Sequence, residues 1–177
     1  PLSEFVADAL TCPLLFPPGT GFSYQSAGVL LAAEIVEKIS GRPLREFQQK
    51  EIFDPLGMKH SALGLGTMEL ASTVRVGVGG TAATNPREEE EYGGNSPYWR
   101  DMGHPWGGMH SSAEDLSILL RALLNGGSYA GHPVWSPAAV RAMITNQNAV
   151  EVPKAPWGLG WGLRDSLVWT FFGELVS

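Results

Sequence analysis

Three short runs in this sequence carry groups able to do chemistry. Tyr24-Gln25-Ser26 stands at the mouth of an amphipathic run. A phenol is a poor base near neutral pH and becomes a better one only where nearby positive charge favours the phenolate. Lys38, several turns along the same run, is too distant to supply that charge. Taken alone, Tyr24 reads as a packing residue at a helix entrance and Ser26 as a plain N-cap. The second run is Trp106-Gly107-Gly108, which by itself is a glycine-rich turn feeding a helix. The third is His104 with His110, spaced six apart with no Cys or carboxylate at ligand spacing, so no zinc site is expected. The remaining glycines form no phosphate-binding pattern, and no cofactor is expected.

The elements that must position these groups follow from periodicity and punctuation. Pro13, Pro17, Pro18, Gly19 and Gly21 make residues 11–23 a loop. A helix is predicted from Ala27 to Ser40, with Leu31, Ile35, Val36 and Ile39 as its buried stripe, Glu34 and Lys38 paired on the wet side, and Gly41 as the stop. Pro43 opens a second helix with Leu44 and Phe47 inward, closed by Asp54-Pro55. Residues 59–110 are weakly patterned. Only Thr73–Val78 reads as a possible strand, and Glu88 to Glu91 reads as a solvated loop.

A third helix is predicted from Ser112. Ser111 with Glu114 and Ser112 with Asp115 both have capping-box spacing. Leu116, Leu119, Leu120, Leu123 and Leu124 form its apolar stripe, and Asn125-Gly126-Gly127 ends it. Ser136-Pro137 starts a fourth helix with Val140, Met143 and Ile144 inward. Trp157–Leu163 alternates glycine with large apolar residues, as a closely packed strand would, and Leu167–Phe172 reads as a second strand. There is no internal repeat and no interdomain linker.

Composition narrows the classes. The 177 residues suffice for one domain with a core, and the 44% apolar content is that of a soluble globular protein. Twelve basic residues against eighteen acidic give a net charge of −6, which argues against a nucleic-acid partner, since that would call for a clustered basic face. Cys12 is the single cysteine, so no internal disulfide forms and the compartment stays open. No apolar run approaches the ~20 residues of a membrane span; Val29 to Ala33 stops at Glu34. The chain opens at Pro1 and not at an initiator Met, so a fragment or processed chain is expected, and localisation stays undetermined.

Three segments in order carry a family resemblance. They are Pro17-Pro18-Gly19-Thr20-Gly21-Phe22-Ser23-Tyr24-Gln25-Ser26, running on to Ile52-Phe53-Asp54-Pro55-Leu56-Gly57-Met58; then Trp106-Gly107-Gly108-Met109-His110-Ser111-Ser112-Ala113-Glu114-Asp115-Leu116, running on to Gly127; then Trp157-Gly158-Leu159-Gly160-Trp161. Together they resemble the superfamily of class C β-lactamases, D-alanyl-D-alanine carboxypeptidases and related esterases. The resemblance covers about Pro13 to Trp161, with residues 62–104 poorly matched. It implies an α+β fold in which a mostly helical region packs on an antiparallel sheet built from the two chain ends. Residues 1–177 are then expected to form one partial domain, the helical region and the start of the sheet. The N-terminal Ser-x-x-Lys part and the C-terminal Lys/His-Thr/Ser-Gly part are expected to lie outside it.

The resemblance also implies a chemistry, acyl transfer through a covalent serine ester. Tyr24 matches the family's general acid/base tyrosine. Ser26 stands where Asn is usual in Tyr-x-Asn; a hydroxyl still donates and accepts but offers no pair of N–H donors, which shifts the expected substrate toward an ester. Trp106, Gly107 and Gly108 fall where relatives line the substrate cleft. No serine here has a lysine three residues on, and no His or Lys is followed by Thr-Gly or Ser-Gly. Two readings follow. One is a piece of a serine hydrolase taking a small-molecule or peptide substrate: a β-lactam, a D-Ala-D-Ala peptide or a small ester. The other is a catalytically inactive family member serving as a binding module.

Overall fold

The computed structural model describes residues 2–77, 86–148 and 156–163. It divides into two compact units, one of Pro1–Leu10 and Ser26–Leu120, the other of Thr11–Gln25 and Arg121–Ser177. Leu167–Phe172 and Val78 fall outside the described residues.

In the first unit, helix α1 (Leu2–Thr11) buries Val6 and carries Glu4 in its first turn, where the helix dipole favours an acid. Helix α2 (Ser26–Ser40) forms where periodicity places it, and Gly41 ends it at φ +68°. Its buried side differs from the expected stripe. Leu30 is buried, whereas Ile35 and Ile39 are 56% and 82% exposed. Four-residue repetition makes a stripe, but the facing elements decide which side is covered. Glu34 and Lys38 pair at 3.3 Å as expected.

Glu37 turns back instead of facing water: its Oε1 accepts the Leu44 N–H at 2.6 Å, capping the next helix where Pro43 has no side-chain cap to offer. Helix α3 (Leu44–Gln48) runs into a π-helical turn (Gln49–Phe53) and then α4 (Asp54–Leu56). Asp54-Pro55 therefore does not end the helix. The widened turn, with Asp54 N–H bonded to the Gln49 carbonyl, lets Pro55 enter without its usual clash. Gly57 ends the helix in the left-handed region at φ +71°.

Two-residue strands β1 (Ala62–Leu63) and β2 (Met109–His110) pair antiparallel, Ala62 opposite His110 and Leu63 opposite Met109. Between them the chain is more ordered than its weak patterning suggests. Glu88 to Glu91 lies in helix α5 (Pro86–Tyr92), so the expected loop is a short solvated helix. Helix α6 (Pro97–Met102) is capped by Ser96, whose side chain accepts the Trp99 N–H at 3.1 Å. The same Ser-Pro device recurs at Ser136-Pro137. Thr73–Gly77 is no strand; the Asn95 side-chain amide brackets Val76, accepting from its N–H at 2.9 Å and donating to its carbonyl at 3.0 Å.

Helix α7 (Ala113–Leu124) starts as expected, with Ser112 Oγ accepting the Asp115 N–H at 3.1 Å. The Asp115 carboxylate is 2% exposed, and its Oδ2 accepts both the His60 N–H at 2.7 Å and the Ser61 hydroxyl at 2.8 Å. The Ser61 and Ser111 hydroxyls lie 2.7 Å apart. The chain entering β1 is thereby tied to the first turn of α7. The leucine stripe is only partly covered: Leu116 and Leu120 are exposed, while Asp115 is on the buried side.

In the second unit, the last turn of α7 ends at Asn125-Gly126-Gly127, and Ala122 is fully buried. Strands β3 (Ser128–Tyr129) and β4 (His132–Pro133) form a hairpin whose two-residue turn, Ala130-Gly131, has positive φ at both positions, the mirror-image turn that matches strand twist. Helix α8 (Pro137–Met143) is capped by Ser136 and buries Val140, while Ile144, expected inward, is exposed. Trp157–Leu163 is a tight turn closed by a Trp157–Gly162 bridge and not a strand. The close packing expected there is present. The Leu159 N–H reaches the Met143 carbonyl at 3.0 Å, and a Cβ on Gly158 would collide with that same carbonyl.

Candidate functional site

The expected site residues fall in both units. In the second unit, Tyr24 lies in the extended segment before α2 and is 77% exposed. Its ring stands 5.6 Å from that of Trp157 at 45°, and Phe22 stacks on the same indole at 6.0 Å and 21°. Trp157 is itself held. Its carbonyl accepts the Gln147 N–H at 2.7 Å and its N–H donates to Asn146 Oδ1 at 3.3 Å. Upstream, the Phe16 ring would lie 3.0 Å from a Cβ on Gly21, so glycine allows the segment to pass against it. The first and third motif segments thus meet at one indole. Trp157 as a partner for Tyr24 was missed from the sequence, where the only signal was its place in the third motif.

In the first unit, Ser26 is the exposed first residue of α2. Trp106, Gly107 and Gly108 form a turn before β2. The His104 carbonyl accepts the Gly107 N–H at 3.3 Å and the Gly108 N–H at 2.8 Å. Gly108 is obligatory: a Cβ there would lie 2.5 Å from the His104 nitrogen. Its own carbonyl accepts the Gly64 N–H at 2.8 Å, joining the turn to β1. Trp106 is half-buried, its ring 5.0 Å from His104 and 6.4 Å from Phe5.

His104 is 7% exposed, and burial pushes its pKa below the ordinary histidine value. His110 donates from Nε2 to the Arg100 carbonyl at 3.1 Å. The imidazoles therefore serve the turn and the sheet edge, and among the described residues no three His, Cys, Asp or Glu side chains group as metal ligands. Close by, Arg45 spans to Asp101, bonding its carbonyl and pairing with Oδ1 at 3.1 Å, while Leu65 N–H reaches the same Oδ1 at 3.1 Å. A separate cavity of about 560 Å³ in this unit is lined by Gln49, Lys50, Asp54, Lys59 and Thr67 among others. There the Gln49 side-chain amide and then Lys50 hold the Asp54 carboxyl below its usual range.

A family model described as Beta-lactamase matches residues 2–173. The chain belongs to the β-lactamase family. A protein of Escherichia coli O157:H7, provisionally named a D-alanyl-D-alanine carboxypeptidase, is 28% identical over 93% of this chain. The chain spans 40% of that relative's length. Among solved structures, a penicillin-binding protein from Bacillus halodurans has a TM-score of 0.62 at 22% identity, covering 90% of this chain and 45% of its own. A D-stereospecific amidohydrolase from Streptomyces has a TM-score of 0.61 at 25% identity, covering 90% and 44%. The β-lactamase and penicillin-binding fold is therefore shared, with this β-lactamase-family chain contributing mostly helices and small antiparallel sheets.

Proposed function

We propose that this chain is part of a serine hydrolase that forms a covalent acyl-serine intermediate. The substrate is a β-lactam, a D-Ala-D-Ala peptide or a small ester. The observation that carries the reading is Tyr24 standing exposed against the anchored Trp157. A serine oxygen bonds to the carbonyl carbon and the bond to the leaving amine or alcohol breaks. Tyr24 takes the serine proton and passes it to the leaving group; water then releases the acid by the reverse path. The serine belongs to a Ser-x-x-Lys pair that this sequence does not contain. Ser26 hydrogen-bonds the substrate, and Trp106, Gly107 and Gly108 line its path. The likeness to a D-alanyl-D-alanine carboxypeptidase and a D-stereospecific amidohydrolase supports a D-configured amide among these.

The test is made on the complete gene product, using a fluorescent penicillin, a D-Ala-D-Ala peptide and a p-nitrophenyl ester. Turnover with a serine adduct found by mass spectrometry supports the proposal, and a well-folded product with neither refutes it. The 177-residue chain itself should give no turnover. The competing reading, an inactive binding module, is favoured by Ser26 in place of Asn; saturable ligand binding without acylation would establish it.

A further inference from the structure

We infer that His104 is an acid-sensitive positioning residue, whose neutral imidazole holds the Trp106–Gly107–Gly108 turn in place and whose protonation releases it. This rests on the proposed role of that turn in lining the substrate path. Three observations meet here. The imidazole contacts two indoles, 5.0 Å from Trp99 at 46° and 5.0 Å from Trp106 at 48°. The backbone carbonyl of the same residue fixes the Gly107 and Gly108 amides. Among the described residues, the buried Nδ1 has no hydrogen-bond partner.

The two ring nitrogens differ in surroundings. Nε2 faces Gly107, where an added Cβ would stand 3.6 Å away, and Gly107 is exposed. Nδ1 is shut away from solvent. A buried bare acceptor is better tolerated than a buried unpaired N–H, so the neutral ring carries its proton on Nε2. Acid must then add the second proton to Nδ1, creating a charged donor with nothing to bond. Both indoles lie within cation–π range of the ring, but a π face does not replace the conventional hydrogen-bond acceptor that a charged Nδ1–H needs. Charges on the packed elements are engaged elsewhere: Arg45 with Asp101, Arg100 with the Val74 carbonyl, and His110 with the Arg100 carbonyl. On α1 the acids are Glu4 and Asp8, each with an interaction of its own. Turning the ring out to water satisfies Nδ1 but removes the surface against which Trp106 stands.

The experiment follows tryptophan emission and acrylamide quenching of the full chain from pH 8 to pH 4.5. A reversible red shift is expected below the usual histidine range, with quenching at least twofold stronger. Trp106→Phe should remove most of the change, and His104→Phe, which keeps a flat ring without a titrating group, should abolish it. A flat wild-type profile, or an unchanged transition in a folded His104→Phe, overturns the inference. If that variant does not fold, proton NMR of the four histidines in the wild-type chain decides. A resonance with cross-peaks to two indoles must titrate below the others and move with the emission. This readout needs no turnover. A titrating turn without acylation leaves the inference standing and removes the proposed function; acylation without titration does the opposite.

Discussion

The Tyr24 ring lies 5.6 Å from the Trp157 ring, bringing together two residues from opposite ends of the chain. An aromatic pair at this spacing gains about 0.5–1.5 kcal/mol beyond area burial. Here it also orients an exposed phenol. In the complete gene product, Tyr24→Phe should lower turnover roughly 10²-fold or more, as for loss of a positioned general base, with Tm unchanged. Trp157→Ala should lower it roughly 10-fold or more through misplacement of the phenol. Unchanged kcat in a well-folded Tyr24→Phe enzyme would remove Tyr24 from the mechanism.

Asp115 should matter to folding and not to chemistry. Asp115→Ala leaves the His60 N–H and the Ser61 hydroxyl without their acceptor, and is expected to destabilise the chain by roughly 2–4 kcal/mol. Because both donors converge on Oδ2, an amide oxygen in the same place retains both bonds. Asp115→Asn should therefore cost only about 1 kcal/mol. Urea titrations of the two variants check the order.

Neighbouring glycines in the proposed substrate wall should respond differently. Gly108→Ala pushes a methyl group against the His104 backbone and is expected to cost roughly 1–3 kcal/mol. Gly107→Ala finds its nearest neighbour at 3.6 Å, an ordinary contact, and should change stability by no more than about 0.5 kcal/mol. Equal effects in thermal melts would contradict the turn geometry.

Acid should destabilise the first unit through His104. Its folded pKa lies below the unfolded value of 6.5, with burial as the cause. Between the two values the unfolded chain binds more protons, so stability rises with pH there and drops as the solution is acidified. The contribution is fully present above pH 6.5 and is lost as pH falls through the folded value. Denaturant midpoints measured from pH 7.5 to pH 5 should decline in the wild type and decline less in His104→Phe.

Exposed apolar side chains on two helices should drive association. Ile35 and Ile39 on α2, and Leu116 and Leu120 on α7, are open to water in the chain described here, and apolar patches of this kind associate. Light scattering should show a mass that rises with concentration, and the pair Ile35→Lys with Ile39→Lys should reduce it. A concentration-independent monomer in the wild type would count against the expectation.

The sequence by itself determined the local devices. Helices α2, α7 and α8 start and stop where periodicity, Ser112, Ser136-Pro137, Gly41 and Asn125-Gly126-Gly127 place them, because those signals act within a turn or two. It also carried the family, through three ordered motifs that the family match bears out. Helix α6 was legible in principle, since Ser96-Pro97 repeats the Ser136-Pro137 pattern, but the surrounding glycines and polar residues masked it.

Tertiary structure alone decided the rest. Leu31, Ile35 and Ile39 make a perfect stripe, yet Leu30 is the residue buried, because burial depends on which elements pack nearby and periodicity encodes only relative angle. The run at Asp54-Pro55 stays helical because a π turn widens the ladder, a choice set by hydrogen bonds to residues five back. Asp115 reads as a capping residue, and only packing brings His60 and Ser61 to its carboxylate. Tyr24 and Trp157 are far apart in the chain, as are Phe5 and Trp106, and no local rule pairs them. Side-chain type and spacing fix what a segment can become within a few residues; contacts between distant segments depend on three-dimensional closure, which one linear pattern does not contain.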